Sequence, residues 1–190
     1  GILGTLRDVS DKREHQAQLE AKLGFIKFIN ATAARLINIE LDAIDNNLED
    51  TLKVVSQYAG ADQAYVLLAE GGNLFPRYEW QAQPELPQPK AMTFTQYLEK
   101  YGLSGEFPIA KESKAVRGYR AHYFLRGKRG MQGILVFEHH QQAGEWAEDA
   151  LQAFDIATQL IGNVLQRKEI EKDLKQAKEQ AEAALVEKSN

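Results

Sequence analysis

The residues whose types bear on chemistry are few: four histidines, no cysteine and one concentrated run of bases. Without cysteine the chain has no disulfide scaffold, no thiolate zinc site and no thiol nucleophile. His15, His122, His139 and His140 do not form a metal set. His139 and His140 are adjacent at a strand end, so they point to opposite faces. No G-x-x-x-x-G-K-[ST] phosphate loop and no G-x-S-x-G elbow occur; Ser104 sits beside Gly105 without the strand-turn-helix setting. Gly127-Lys128-Arg129-Gly130 has the G-x-x-G spacing of some nucleic-acid-binding loops. Here it joins two strands, not two helices, and reads as a surface hairpin turn. No catalytic constellation and no metal site are expected.

The bases cluster between Lys111 and Arg129, seven of them against the single acid Glu112. Arg126, Lys128 and Arg129 belong to the hairpin turn. Lys111, Lys114, Arg117 and Arg120 surround a loop before the next strand. They can meet a phosphate or carboxylate ligand, or simply be solvated. Aromatics supply a second candidate wall. Tyr78 and Trp80 share one face of a strand, Phe94 and Tyr97 lie on a short helix, and His122 and Phe124 share a face opposite Tyr119, Ala121 and Tyr123. These rings can line an apolar pocket with polar tips or pack as ordinary core.

Those residues must be positioned by a sheet between helices. Ile2 to Val9 reads as a short strand, after which Ser10 or Asp11 caps a helix. From Lys12 to about Asn38, Leu19, Leu23, Ile26, Asn30, Ala33 and Ile37 recur in steps of four and three. That is a heptad seam, with Asn30 as a candidate register or switch device. A break follows, and Asp42 caps a helix running to Tyr58 and stopped by Gly60. This helix opens in a stretch of five acids and no base, Glu40 to Asp50, read as a solvated face favoured by the helix dipole.

Ala64 to Ala69 and Leu74 to Ala82 form a hairpin around Gly71-Gly72. Pro84, Pro87 and Pro89 forbid regular structure after it. Phe94 to Tyr101 is a short helix ending at Gly102, and Glu106 to Ala110 an edge strand. Gly118 to Arg126 and Met131 to His139 are the clearest strands. Trp146 to the end is one long helix. Its first half is broadly apolar, whereas beyond Gln166 only Ile170, Leu174, Ala177, Ala181 and Ala184 continue, among six bases and six acids. A narrow seam of mixed charge describes a coiled coil, so a parallel homodimer is expected.

Composition bounds the function. The chain has 190 residues, 44% hydrophobic and 26% charged, with a net charge of −4. These are globular values and exclude a generally basic nucleic-acid binder. No run approaches the roughly 20 apolar residues of a membrane span, and no signal peptide is visible. A cytoplasmic location is expected, although a longer parent protein can be membrane-attached. The chain reads as if cut from the middle of something.

The segment from about Leu36 to Arg167 resembles a GAF domain. The resemblance rests on Gly60-Ala61-Asp62-Gln63-Ala64-Tyr65-Val66-Leu67, Tyr78-Glu79-Trp80, Gly118-Tyr119-Arg120-Ala121-His122, Gly130 to Phe137, and Trp146-Ala147-Glu148-Asp149 opening a helix that closes at Leu165-Gln166-Arg167-Lys168. Gly4 to Arg13 resembles the end of a PAS domain, and Leu174 to Ala184 the linker before the phosphoacceptor helix of sensor histidine kinases. The division implied is a PAS remnant over 1–11, a signalling helix over 12–38, a GAF domain over 39–167 and a coiled-coil linker over 168–190.

What the resemblance implies is an α+β fold: a central antiparallel sheet flanked by helices, with long signalling helices at both ends. The function implied is sensory relay to a C-terminal kinase, with no catalysis in this segment. The loop before the central strand helps roof the ligand pocket in such domains. The candidate ligand contacts are therefore Tyr78, Trp80, Phe94, Tyr97, Arg117, Arg120, His122 and Phe124. The ligand is unknown. Cysteine-linked bilin is excluded, the signature of cyclic-nucleotide GAF domains is not visible, and haem, for which His122 is the only sensible axial ligand, is not expected. The alternatives are a ligand-free dimerisation spacer, the sensor module of a diguanylate cyclase, and a small GAF-type reductase, whose chemistry leans on the cysteines missing here.

Overall fold

The computed structural model describes residues 2–38, 40, 43–103, 114–140 and 145–188. Two compact units divide at Ile39 and Glu40. The first is a single helix, α1 (Ile2–Asn38), of 37 residues. Its seam residues Leu19, Leu23 and Ile26 are 49%, 56% and 45% exposed, so this part of the stripe is bare; the Ile37 side chain lies outside the described residues. Asn30 is exposed as well, and Ala33 half-buried. The expected strand from Ile2 to Val9 is helix instead, and the cap at Ser10 or Asp11 is a helix interior. The reason is backbone pairing. A strand needs a neighbour for its N–H and C=O groups, whereas a helix satisfies them internally, and here one already runs on from residue 12.

The second unit holds α2 (Ile44–Ala59), β1 (Gln63–Glu70), β2 (Asn73–Gln81), β3 (Met92–Thr93), α3 (Phe94–Lys100), β4 (Lys114–Arg117), β5 (Arg120–Gly127), β6 (Gly130–Glu138) and α4 (Glu148–Lys188). The described strands form one antiparallel sheet in the order β3-β2-β1-β6-β5-β4. Three tight hairpins set most of the register. Gly71 and Gly72, at φ 58° and 82°, supply the two left-handed residues of the β1–β2 turn, which β-carbons would strain. β2 contains Pro76, opposite Leu67 at the register shift in β1. β3 pairs only with Asn73 and Leu74, so the missing N–H of Pro76 disrupts no β2–β3 bond.

β1, β5 and β6 carry runs of five, five and six consecutive buried residues instead of alternating ones. A strand buries like that when both faces of its sheet are covered. On one face lie α2 and α4. Phe154 of α4 stacks on Phe137 at 3.9 Å between ring centres and meets Tyr123 and Trp146 edge-on. On the other face Tyr97 and Leu103 complete a core with Tyr65, Leu67, Ala115, Phe124, Ile134 and Val136. α3 is set over this face by a capping box, in which the Thr93 hydroxyl accepts from the Gln96 N–H and Gln96 returns the bond.

The basic segment departs from expectation. Lys114 to Arg117 is not loop but the edge strand β4, hairpinned to β5. Ala115 packs into the Tyr97 core while Val116 stays exposed, an alternation too short to stand out among charged neighbours. The N-cap of α2 is Ala43, with no side-chain bond, and Asp42 lies outside the described residues. So does the proposed strand at 106–110. α4 begins at Glu148; Trp146 precedes it, stacked on His139 with ring centres 3.6 Å apart.

Gly133 stands where β6 runs between β1 and β5. A β-carbon there would lie 2.4 Å from the Leu67 carbonyl oxygen, a main-chain atom that cannot yield. Gly133→Ala is expected to cost about 2–3 kcal/mol, read as a lower urea midpoint, whereas Gly162→Ala, inside α4 with only a 3.9 Å contact, is expected to stabilise by about 0.5–1 kcal/mol and raise the midpoint.

Candidate functional site

The last residue of β6 is a buried carboxylate. Glu138 is 3% exposed, and burial of a charge demands partners. The sheet register supplies them. Glu138 lies opposite Gln63 of β1 and Arg120 of β5, so one row crosses three strands. Tyr65, two residues along β1 on the same face, donates its hydroxyl to Glu138 Oε1 at 2.7 Å, and Arg120 Nε donates to the same oxygen at 2.8 Å. His140 Nε2 lies 3.1 Å from Oε2 and 3.2 Å from Gln63 Oε1. Burial opposes the Arg120 charge, but the Glu138 hydrogen bond and charge outweigh it and hold the guanidinium above its ordinary pKa. Burial, reinforced by the Glu138 charge, pushes the Tyr65 phenol far up, so it remains a donor.

A second group adjoins the first. Tyr97 of α3 and His122 of β5 share a 2.6 Å hydrogen bond between the hydroxyl and Nδ1. His122 is fully buried, and burial lowers its pKa to about 4. The ring is therefore neutral at pH 7, and its Nε2 has no partner among the described residues. Tyr101 bridges the groups, 5.2 Å from the His122 ring and with the Arg120 guanidinium 4.9 Å over its face. Tyr119 holds the other side of Arg120 through its ring and its hydroxyl.

Beside Arg120 opens a cleft of about 90 Å³, lined by Gln63, Tyr65, Leu67, Pro87, Gln88, Pro89, Lys90, Met92, Lys100, Tyr101, Arg120, Glu138 and His140. Of the eight ligand contacts expected from sequence, only Arg120 lines it. Tyr97, His122 and Phe124 lie on the same sheet face but pack as core, with Phe94 partly buried against them. Arg117 ends β4, and its side chain lies outside the described residues. Tyr78 points to the opposite face, where its hydroxyl donates to Asp45 of α2 at 2.8 Å. Trp80, two residues on, shares that face and is half-buried. Sequence reading missed Tyr65, Tyr101, Glu138 and His140. The signal for Glu138 was available: a lone acid closing the apolar run Ile134 to Phe137.

On the helix-covered face Lys168 of α4 donates to Asp45 at 2.6 Å and to the Tyr78 hydroxyl at 3.3 Å. The Lys168 hydrogen bond chiefly holds the Asp45 carboxyl below its usual range. This polar knot ties α2, β2 and α4 together just where α4 leaves the core.

The second unit is thus an antiparallel sheet with a helix pair on one face and a small polar cleft on the other. The chain belongs to the GAF-domain family, whose sequence profile matches residues 43–167. GAF domains are generally regulatory sensors and not catalysts. No curated protein matches the chain.

Solved structures share the fold at low identity. The GAF domain of an Acinetobacter phosphoenolpyruvate-protein phosphotransferase is 11% identical with a TM-score of 0.54, covering 76% of this chain and 94% of its own. A GAF domain from Pseudomonas syringae pv. tomato, described as part of a sensor histidine kinase, is 12% identical with a TM-score of 0.54, covering 84% and 96%. The phycoerythrobilin-bound GAF domain of a cyanobacterial phytochrome is 12% identical with a TM-score of 0.53, covering 78% and 96%.

His122 makes acid sensitivity predictable. Its pKa falls from 6.5 in the unfolded chain to about 4 in the fold. Its contribution to stability is intact above pH 6.5 and declines by about 3 kcal/mol as the pH drops to 4, because only the unfolded chain takes up the proton. Urea unfolding of the native protein and of His122→Gln at about pH 7 and pH 4.5 checks this. The stability gap between the two proteins is expected to shift in favour of the variant at the lower pH; equal losses in both would refute it.

Proposed function

We propose that this chain is the sensory and relay module of a two-component sensor histidine kinase, acting as a parallel homodimer in the cytoplasm. The observation that carries the reading is the continuity of α4. One helix of 41 residues packs Ala153, Phe154, Ala157, Ile161, Val164 and Leu165 into the domain core. The same helix then runs on with residues 172–188 all exposed. A helix transmits rotation or translation along its length, and packed helix pairs have discrete alternative arrangements. A change at the sheet therefore reaches the far end of α4 without any hinge.

Beyond the core α4 keeps only a thin apolar stripe, with Ile170 44% and Leu174 68% exposed, continued by Ala177, Ala181 and Ala184. An isolated helix with so narrow a stripe is marginal in water, and the same stripe on a second copy is its simplest partner. α1 carries a comparable stripe through Leu19, Leu23 and Ile26. The upstream input is proposed to be a PAS domain, supported by the Asp8-Val9-Ser10-Asp11 junction, and the output a histidine kinase, supported by the charged, alanine-rich tail.

Two measurements test the reading. Sedimentation at micromolar concentration is expected to give a dimer, with Ile170→Asp plus Leu174→Asp weakening association at least about tenfold; a wild-type monomer would defeat the dimer. In the intact receptor, one residue inserted after Lys175 turns the seam by about 100° and is expected to change autophosphorylation, while seven restore it. Equal output from both insertions would exclude relay through this helix.

A further inference from the structure

The cleft beside Arg120 has a charge and a lining that narrow what it can hold. Among the described residues that line it, Lys90, Lys100 and Arg120 are the cations and Glu138 is the one carboxylate. Glu138 is already engaged by Tyr65, Arg120 and His140. Arg120 and Glu138 cancel as a pair, leaving the two lysines as uncompensated positive charge. Neither lysine pairs with a carboxylate among the described residues.

Arg120 is also held in place before any ligand arrives. Its Nε is fixed by Glu138, its Nη1 donates to the Tyr119 hydroxyl at 2.7 Å, and its plane lies over Tyr101. A guanidinium has five N–H donors in a rigid fork, so donors remain for an incoming acceptor, and little further ordering is needed. The remaining wall is mixed: Gln63, Gln88 and His140 are polar, whereas Leu67, Met92, Pro87, Pro89 and the rings of Tyr65 and Tyr101 give it an apolar side. An anionic head with a short carbon chain uses both kinds of wall, whereas a bare inorganic anion uses one. At about 90 Å³ the cleft is small, which favours a compact ligand over a cofactor-sized one.

We propose that this cleft binds a short-chain carboxylate, with its head on Arg120 and Lys100 and its carbon chain against Tyr65, Leu67 and Met92. The proposal rests on the reading of the chain as a sensor module and gives that module a ligand class. The site is built around a carboxylate it already holds. Glu138 orients Arg120 from one side, and the ligand meets the donors left on the other.

The test is calorimetric titration of the whole chain, in low-chloride buffer, with acetate, butyrate, succinate, inorganic phosphate and butyramide in turn. Butyrate or succinate is expected to bind saturably at one site per chain, more tightly than phosphate, with butyramide silent. Lys90→Gln plus Lys100→Gln, both at the surface, is expected to weaken binding about two- to fivefold per charge without changing the unfolding midpoint. Arg120→Gln is expected to weaken it about tenfold or more. Arg120→Gln combined with Glu138→Gln, which leaves no unpaired charge, keeps the test valid if the single variant does not fold. No saturable binding, binding of phosphate as tight as that of the carboxylates, or butyramide binding equal to butyrate would overturn the proposal. Sedimentation of the same samples separates the outcomes, since a dimer that binds no carboxylate removes the ligand and leaves the relay reading standing.

Discussion

A carboxylate removed from water must be answered by hydrogen bonds and an opposite charge, and Glu138 imposes that requirement at the junction of three strands. Everything on the cleft side follows from meeting it. Tyr65 must be on β1, two residues from the row shared with Glu138, and Arg120 must open β5 in that row. His140 must turn back beside Gln63, and its backbone N–H is held by the Asp62 carboxylate at 2.6 Å. Arg120, once fixed by Glu138, becomes the plane on which Tyr101 and Tyr119 rest. The buried pair adds little net stability by itself, because desolvation offsets much of the attraction. What it provides is position: one guanidinium held rigid at the mouth of a small cleft.

The two faces of the sheet have separate tasks. The α2/α4 face is packed by rings and aliphatic chains, with Phe154 stacked on Phe137 at its centre. Its polar knot, Asp45–Tyr78–Lys168, sits at the exit of α4. With both charged side chains partly exposed, the ion pair is worth at most about 1 kcal/mol. Such a contact is easily made or broken by a small shift of α4, in contrast with the Phe154 core. The cleft face is polar, tyrosine-rich and capped by α3. β1, β5 and β6 contribute side chains to both faces, and β6 lies so close to β1 that Gly133 leaves no room for a β-carbon against Leu67.

Much of the architecture is visible in local patterns. The Gly71-Gly72 turn, the proline-rich connection and the change from a broad to a narrow apolar stripe after Gln166 each act within a few residues. Three features are not local. The segment Ile2 to Val9 has strand-like residues, yet strand formation needs a neighbour to pair with, and helix wins. Lys114 to Arg117 looks like loop by charge, yet β5 offers its edge and Ala115 enters the core. Tyr78 and Trp80 share a face, as their spacing requires, but spacing does not say which face; α2 and α4 cover it, and the cleft opens on the other.

The sequence by itself determined the class of fold, the helical connectors and the absence of thiol chemistry, because periodicity, turn residues and composition act locally. Tertiary structure alone decided the site. Gln63, Glu138 and Arg120 become one row only when β1, β6 and β5 pair in register, and Lys90 and Lys100 join them only when α3 and the proline-rich segment fold over that face. Side chains far apart in sequence converge through strand pairing and helix docking, and neither is written in the spacing of the residues that meet.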